Sequence, residues 1–188
     1  MQAAHNIILV GPMGAGKSSL GRRIARRLGM QFVDLDEEIE RQTGASVSTI
    51  FACEGEAGFR AREHAALASC LERDGQVLAT GGGAVLDPRS RALMRQRGFV
   101  VHLQVAVPAQ LRRLARDRSR PLLQGDDREA TLRQLAHARG PLYREVAHLE
   151  FDTANDAAPA AAARLARALS AAWPGAPDSA DKTQEGRA

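Results

Sequence analysis

Gly11-Pro12-Met13-Gly14-Ala15-Gly16-Lys17-Ser18 fills every position of the pattern G-x-x-x-x-G-K-S. Glycines at these positions let a backbone curl until several N–H groups face one anion. A lysine at position 17 can reach the β- and γ-phosphates of a nucleotide, and the Ser18 hydroxyl suits the Mg²⁺ that travels with them. Gly14, Ala15, Gly16, Lys17, Ser18 and Ser19 are therefore the candidate residues for a bound nucleoside triphosphate. The next chemistry-bearing group is Asp34-Leu35-Asp36, where one carboxylate can face Mg²⁺ and the other a second pocket. Beside a phosphate loop, Asp36 suits an acceptor for a substrate hydroxyl proton. Viewed alone, it equally suits the N-cap of a helix beginning Asp36-Glu37-Glu38-Ile39. Gly81-Gly82-Gly83 can bring bare backbone against a small molecule, or can be a flexible turn. Arg60 and Arg139 can each grip a carboxylate in a bidentate fork, though a lone arginine is commonly a surface residue.

These groups need elements to hold them, and the pattern of the chain supplies an alternation of strands and helices. Asn6 to Val10 is a short apolar run suited to a buried strand, and a helix follows from Ser19 with Leu20, Ile24 and Leu28 on one face and Gly29 as its stop. Strands are predicted at Gln31–Asp34, Gln76–Thr80, Phe99–Val105 and Leu149–Thr153. Between them lie helical stretches at Glu37–Thr43, Ser48–Cys53, Glu56–Arg73 and Pro88–Arg97, the last capped by Asp87. Pro108 opens an arginine-rich helix. Asp126 with Glu129 resembles a capping box for a helix ending near Arg139-Gly140, and an alanine-rich helix closes at Trp173. The alternation predicts an α/β fold with a parallel sheet covered by helices. The triple glycine then falls at the carboxyl end of a strand, the edge where open α/β sheets bind ligands. Asp117 to Gly125 has no apolar period and reads as a loop near the nucleotide.

Composition narrows the class. A chain of 188 residues with no membrane-length apolar run fits one domain, and a cleaved leader would destroy the phosphate loop, so none is expected. The formal charge is +4, but the arginines are spread along helix faces. Five Phe, one Tyr and one Trp offer no base-stacking platform, so neither a nucleic-acid nor a membrane partner is expected. Cys53 and Cys70 stand apart, as reduced cysteines of a cytoplasmic protein do. The guanine-reading Asn-Lys-x-Asp of a GTP switch is missing, since Asn6 and Asn155 are not followed by lysine. Strands three and four end without the acid of a motor ATPase. From Pro174 onward the composition is that of a disordered tail.

Six elements in order give the chain a resemblance to the shikimate kinase family, small nucleoside-monophosphate-kinase-like enzymes, across nearly all of residues 6–153. They are Gly11 to Ser18; Asp34-Leu35-Asp36 with Ile39-Glu40; Ile50-Phe51 through Glu54-Gly55-Glu56 to Phe59-Arg60 and Glu63; Thr80 to Gly83; Arg120-Pro121-Leu122-Leu123; and Arg139 with Pro141-Leu142-Tyr143. The resemblance implies a three-layer α/β/α P-loop fold with a five-stranded parallel sheet ordered 2-3-1-4-5. It also implies a shikimate-binding segment at about 34–63 and a lid at about 114–126, within a single domain 1–173 followed by the tail 174–188. The implied reaction is ATP-dependent phosphorylation of the shikimate 3-hydroxyl, in aromatic amino-acid biosynthesis, by a cytoplasmic monomer.

By the same resemblance, Asp36, Arg60, Gly82 and Arg139 hold shikimate, with Gly81 and Gly83 lining its site. Lys17 and Ser18 serve phosphate and Mg²⁺, Asp34 helps to hold the ion through water, Arg120 belongs to the ATP lid, and Arg113 stacks near adenine. The catalytic set is Asp36, Lys17 and Arg120. Near Asp156 some relatives carry a basic residue where this chain has an acid. Gluconate and nucleoside-monophosphate kinases share the architecture, and Phe59-Arg60 with the triple glycine argues against them. A nucleotide-dependent regulator that binds nucleic acid through its basic surface is the rival from another class.

Overall fold

Strand β1 (Asn6–Val10) is buried along its whole length, apolar from Ile7 to Val10, because it is covered on both faces, and this sets the plan of the molecule. In the computed structural model, which describes residues 6–115, 127–153 and 157–173, β1 lies at the centre of a parallel sheet ordered β2-β3-β1-β4-β5. The other strands are β2 (Gln31–Asp34), β3 (Gln76–Ala79), β4 (Gly98–Gln104) and β5 (Leu149–Asp152). Ile8 is in register with Leu78 on one side and Val100 on the other. Successive side chains of β1 point to opposite faces. Ile7 and Leu9 enter a core with α1 (Lys17–Leu28) and α7 (Ala158–Ala172). Ile8 and Val10 enter a second core with α2 (Leu35–Thr43), α3 (Val47–Cys70), α4 (Pro88–Arg97) and α6 (Arg128–Val146). α5 (Val107–Leu114) packs Leu114 against Met13 and Leu132 beside the phosphate loop.

The structure corrects several boundaries. α1 begins at Lys17 rather than Ser19, because Gly16 turns left-handed (φ 88°) and the helix starts at once. The two helical stretches expected around Gly55 are present within α3, separated by a kink where Gly55 adopts φ 69° and ψ −175°. α6 does not stop at Arg139-Gly140 but continues through Pro141 to Val146. Gly140 has no Cβ to strike the proline ring, and the extra turns bury Tyr143 and Val146. Its N-cap is Asp127, whose carboxylate accepts from the Ala130 N–H at 2.8 Å, and Glu129 pairs with Arg133 instead of closing a capping box. Asp126, Arg120 with most of the expected lid, Asp156 and the 174–188 tail lie outside the described residues.

Candidate active site

The phosphate loop joins β1 to α1 at the carboxyl edge of the sheet. Gly11 has φ 141°, and a side chain there would strike the Leu103 carbonyl, so only glycine fits. Lys17 folds back over the loop and donates from Nζ to the Gly11 and Pro12 carbonyls at 2.8 and 2.9 Å. The next residue reaches across to β2: Ser18 Oγ donates to Asp34 Oδ2 at 2.6 Å. Asp34 Oδ1 accepts from the Asp36 N–H at 3.2 Å, so Asp34 is the N-cap of α2. That settles the alternative left open for Asp36. It sits in the first turn of α2, and its side chain is not the cap.

Two cavities open along this edge. One, of about 630 Å³, is lined by Gly14, Lys17, Ser18, Asp34 and Arg113. The other, of about 340 Å³, is lined by Glu40, Arg60, Glu63, Gly83 and Arg139. Met13, Asp36, Gly81 and Gly82 belong to both walls. Among the described residues, Asp36 is thus the one carboxylate shared between the phosphate side and the second pocket.

α3 delivers the charged floor of the smaller cavity. Arg60 donates to Glu63 at 2.6 Å and to Glu56 at 3.1 Å, and its guanidinium lies 5.2 Å from the Phe59 ring centroid. Phe51 and Phe59 stack beneath it with centroids 4.5 Å apart. Burial opposes the Arg60 charge, but Glu63 and Glu56 outweigh it, so its pKa is raised. Glu63 is only 2% exposed, and its Oε1 has no partner among the described residues. Burial pushes its carboxyl upward, Arg60 pulls it back, and Asp36 adds to the rise. A Cβ on Gly81 would stand 2.5 Å from Glu63 Oε1 and 3.1 Å from Asp36 Oδ1, and one on Gly83 would collide with the Arg60 guanidinium. The triple glycine is therefore a close-approach surface rather than a free turn. Arg139 enters from α6 and is buried, at 7% exposed.

The structure brings Asp36, Arg60, Gly81, Gly82, Gly83 and Arg139 around one cavity, and Gly14, Gly16, Lys17, Ser18, Ser19, Asp34 and Arg113 around its neighbour. Ala15 lines an adjoining recess of about 230 Å³ with Ser19 and Arg113. Arg113 is tied down there, donating to the Gly14 carbonyl at 2.9 Å and to the Thr153 carbonyl at 2.5 Å. Residue types and spacing assigned no role to Glu63 or Tyr143. The signal for Glu63 is its position three residues after Arg60, on the same helical face.

A sequence model of the shikimate kinase family matches residues 13–170. The chain belongs to the shikimate kinase family. The shikimate kinase of Stenotrophomonas maltophilia (strain K279a) is 56% identical over 173 residues, spanning 92% of this chain and 96% of the relative. That of Xanthomonas oryzae pv. oryzae (strain PXO99A) is 53% identical over the same share. Among solved structures, a shikimate kinase from Acinetobacter baumannii in complex with shikimate superposes with a TM-score of 0.86 at 49% identity, covering 88% of this chain and 93% of that one. A shikimate kinase from Bacteroides thetaiotaomicron gives 0.81 at 34% identity, covering 88% and 98%. The three-layer fold and the strand order 2-3-1-4-5 are thus those of shikimate kinases. No helix among the described residues is long and apolar enough to cross a membrane.

Proposed function

We propose that this chain transfers the γ-phosphoryl group of ATP to the 3-hydroxyl of shikimate, releasing ADP and shikimate 3-phosphate. The observation that carries the reading is Asp36, the carboxylate common to the two cavities. Arg60 and Arg139 supply forks for the shikimate carboxylate, and Gly81 to Gly83 supply backbone for its hydroxyls. Asp36 accepts the proton of the 3-hydroxyl while that oxygen bonds to the γ-phosphorus and the bond to the β,γ-bridging oxygen breaks. Gly14 to Ser19 cradle the phosphates with backbone N–H groups, and Lys17 swings from its loop carbonyls to the phosphate oxygens. Little covalent bonding to protein is needed, so alignment and charge neutralisation provide most of the acceleration.

Ser18 Oγ and the Asp34 carboxylate, 2.6 Å apart on the phosphate wall, form a small hard-oxygen donor set that fits Mg²⁺, with waters and phosphate oxygens completing its shell. The ion would supply neutralisation of phosphate charge, with Ser18 and Asp34 as the residues that would hold it. The resemblance assigns Arg120 to a lid over ATP, where its charge would stabilise the transferring group and exclude water. It also assigns Arg113 to the adenine side. The chain acts as a monomer in the cytoplasm, where ATP is available and free thiols such as those of Cys53 and Cys70 stay reduced.

The test is ADP release from Mg-ATP and purified protein with shikimate, gluconate, a nucleoside monophosphate or no acceptor. Release that depends on shikimate is expected. Release that depends on another acceptor, or none with any, contradicts the reading.

A further inference from the structure

Behind the triple glycine, outside the substrate cavity, stands a phenol that the reaction itself does not use. Tyr143 is buried at 3% exposed on α6, one turn after Arg139. Its hydroxyl donates to the Gly82 carbonyl. Its ring stacks on His102 of β4, with centroids 5.1 Å apart. Burial raises the phenol to about 12, with Arg139 and Arg60 pulling it the other way, so it remains a donor at any physiological pH. Tyr143 is absent from the cavity wall, whereas Gly82 and Gly83 are part of it.

Peptide geometry converts that bond into an effect on the substrate side. The Gly82–Gly83 peptide is trans, so the Gly83 N–H points opposite to the Gly82 carbonyl. A carbonyl held toward Tyr143 leaves that N–H aimed away from the tyrosine, while Gly83 itself packs against the Arg60 guanidinium, which a Cβ there would strike. Among the described residues this N–H has no acceptor. Glycines resist rotation weakly, so an unanchored Gly82–Gly83 peptide can turn and withdraw the donor. α6 therefore sets two things one turn apart: the Arg139 fork and the direction of a backbone donor.

We infer that Tyr143 is a positioning residue for acceptor binding: its hydroxyl locks the Gly82–Gly83 peptide so that the Gly83 N–H faces a shikimate oxygen. The inference rests on shikimate being the acceptor.

Tyr143→Phe tests it, because the substitution keeps the ring and its stack on His102 and removes only the hydroxyl, which donates to Gly82 and also interacts with Arg139. The expected result is a rise of about fivefold to twentyfold in KM for shikimate, the size of one lost hydrogen bond, with KM for ATP and kcat within about twofold. His102→Leu is the control, since it disturbs the same ring from behind while sparing the hydroxyl. It should lower the unfolding temperature and leave the ratio of the two KM values unchanged. An unchanged shikimate KM in Tyr143→Phe, a matching rise for ATP, or an equal selective rise in His102→Leu overturns the inference. Wild-type turnover of shikimate is measured first. An inactive wild type contradicts the functional reading and this inference together, whereas an active wild type with an indifferent Tyr143→Phe contradicts the tyrosine's role alone.

Discussion

The two cavities that meet at Asp36 are built on different principles. On the phosphate side the loop residues Gly14, Gly16, Lys17, Ser18 and Ser19 come from one short stretch, faced by Asp34, Asp36, Gly81, Gly82 and Arg113 from elsewhere. The acceptor side is collected from Met13 of the phosphate loop, α2, α3, the loop after β3 and α6, spanning positions 13 to 139. Its walls carry Asp36, Glu40 and Glu63 against Arg60 and Arg139. A nest of backbone N–H groups recognises any phosphate chain and requires little of the remaining fold. A cavity of opposed side-chain charges recognises one arrangement of carboxylate and hydroxyls, and the whole sheet must hold it in place. Affinity for ATP and affinity for shikimate should therefore be separable by single substitutions.

Asp36→Asn is the strongest attempt to break that separation, because Asp36 borders both cavities. The hydroxyl loses its proton acceptor, and kcat should fall by about 10²–10⁴-fold. The fold should survive, since Asp34 and not Asp36 caps α2. ATP affinity, measured by titration with a nonhydrolysable analogue, should stay within about twofold. A parallel collapse of ATP binding would join the two sites into one. Next in size is Arg139→Ala, which removes a buried guanidinium from the acceptor side alone. The shikimate Kd should weaken about tenfold to a hundredfold, the range for a charge-assisted hydrogen bond. Equal weakening for shikimate and ATP in calorimetric titrations would contradict the role given to Arg139.

The same contrast explains what could be read from the residues alone. The phosphate loop was legible because its chemistry is local: eight adjacent residues specify the turn, the lysine and the hydroxyl. The sheet was legible because β1 and β4 are apolar runs between helical periods. Asp36 stayed ambiguous in isolation. Only the bond from the Asp36 N–H to the Asp34 carboxylate shows which carboxylate does the capping. The end of α6 was misread because Gly140-Pro141 is a stop signal locally, and burial of Tyr143 and Val146 overrides it. Glu63 gave only the signal of its spacing from Arg60, since its importance lies in burial against Gly81, a contact remote in the chain.

Glu63 also yields the smallest expected effect and the finest test of the acceptor side. Its carboxyl is raised in the folded protein, first by burial, with the Arg60 charge only partly offsetting this. A raised acid binds its proton more tightly folded than unfolded. Its favourable contribution is therefore complete below the ordinary glutamate value of 4.5 and declines as pH climbs through the raised folded value. Glu63→Gln keeps the shape and removes the titration. The unfolding temperature of the variant relative to wild type should thus climb over that same interval, then level off. Shikimate KM should rise modestly at neutral pH, because Arg60 keeps Glu56 but loses its 2.6 Å partner. A stability difference that ignores pH would mean Glu63 is held as charged as it is in water, and the acceptor cavity would then be wetter than its buried carboxylate implies.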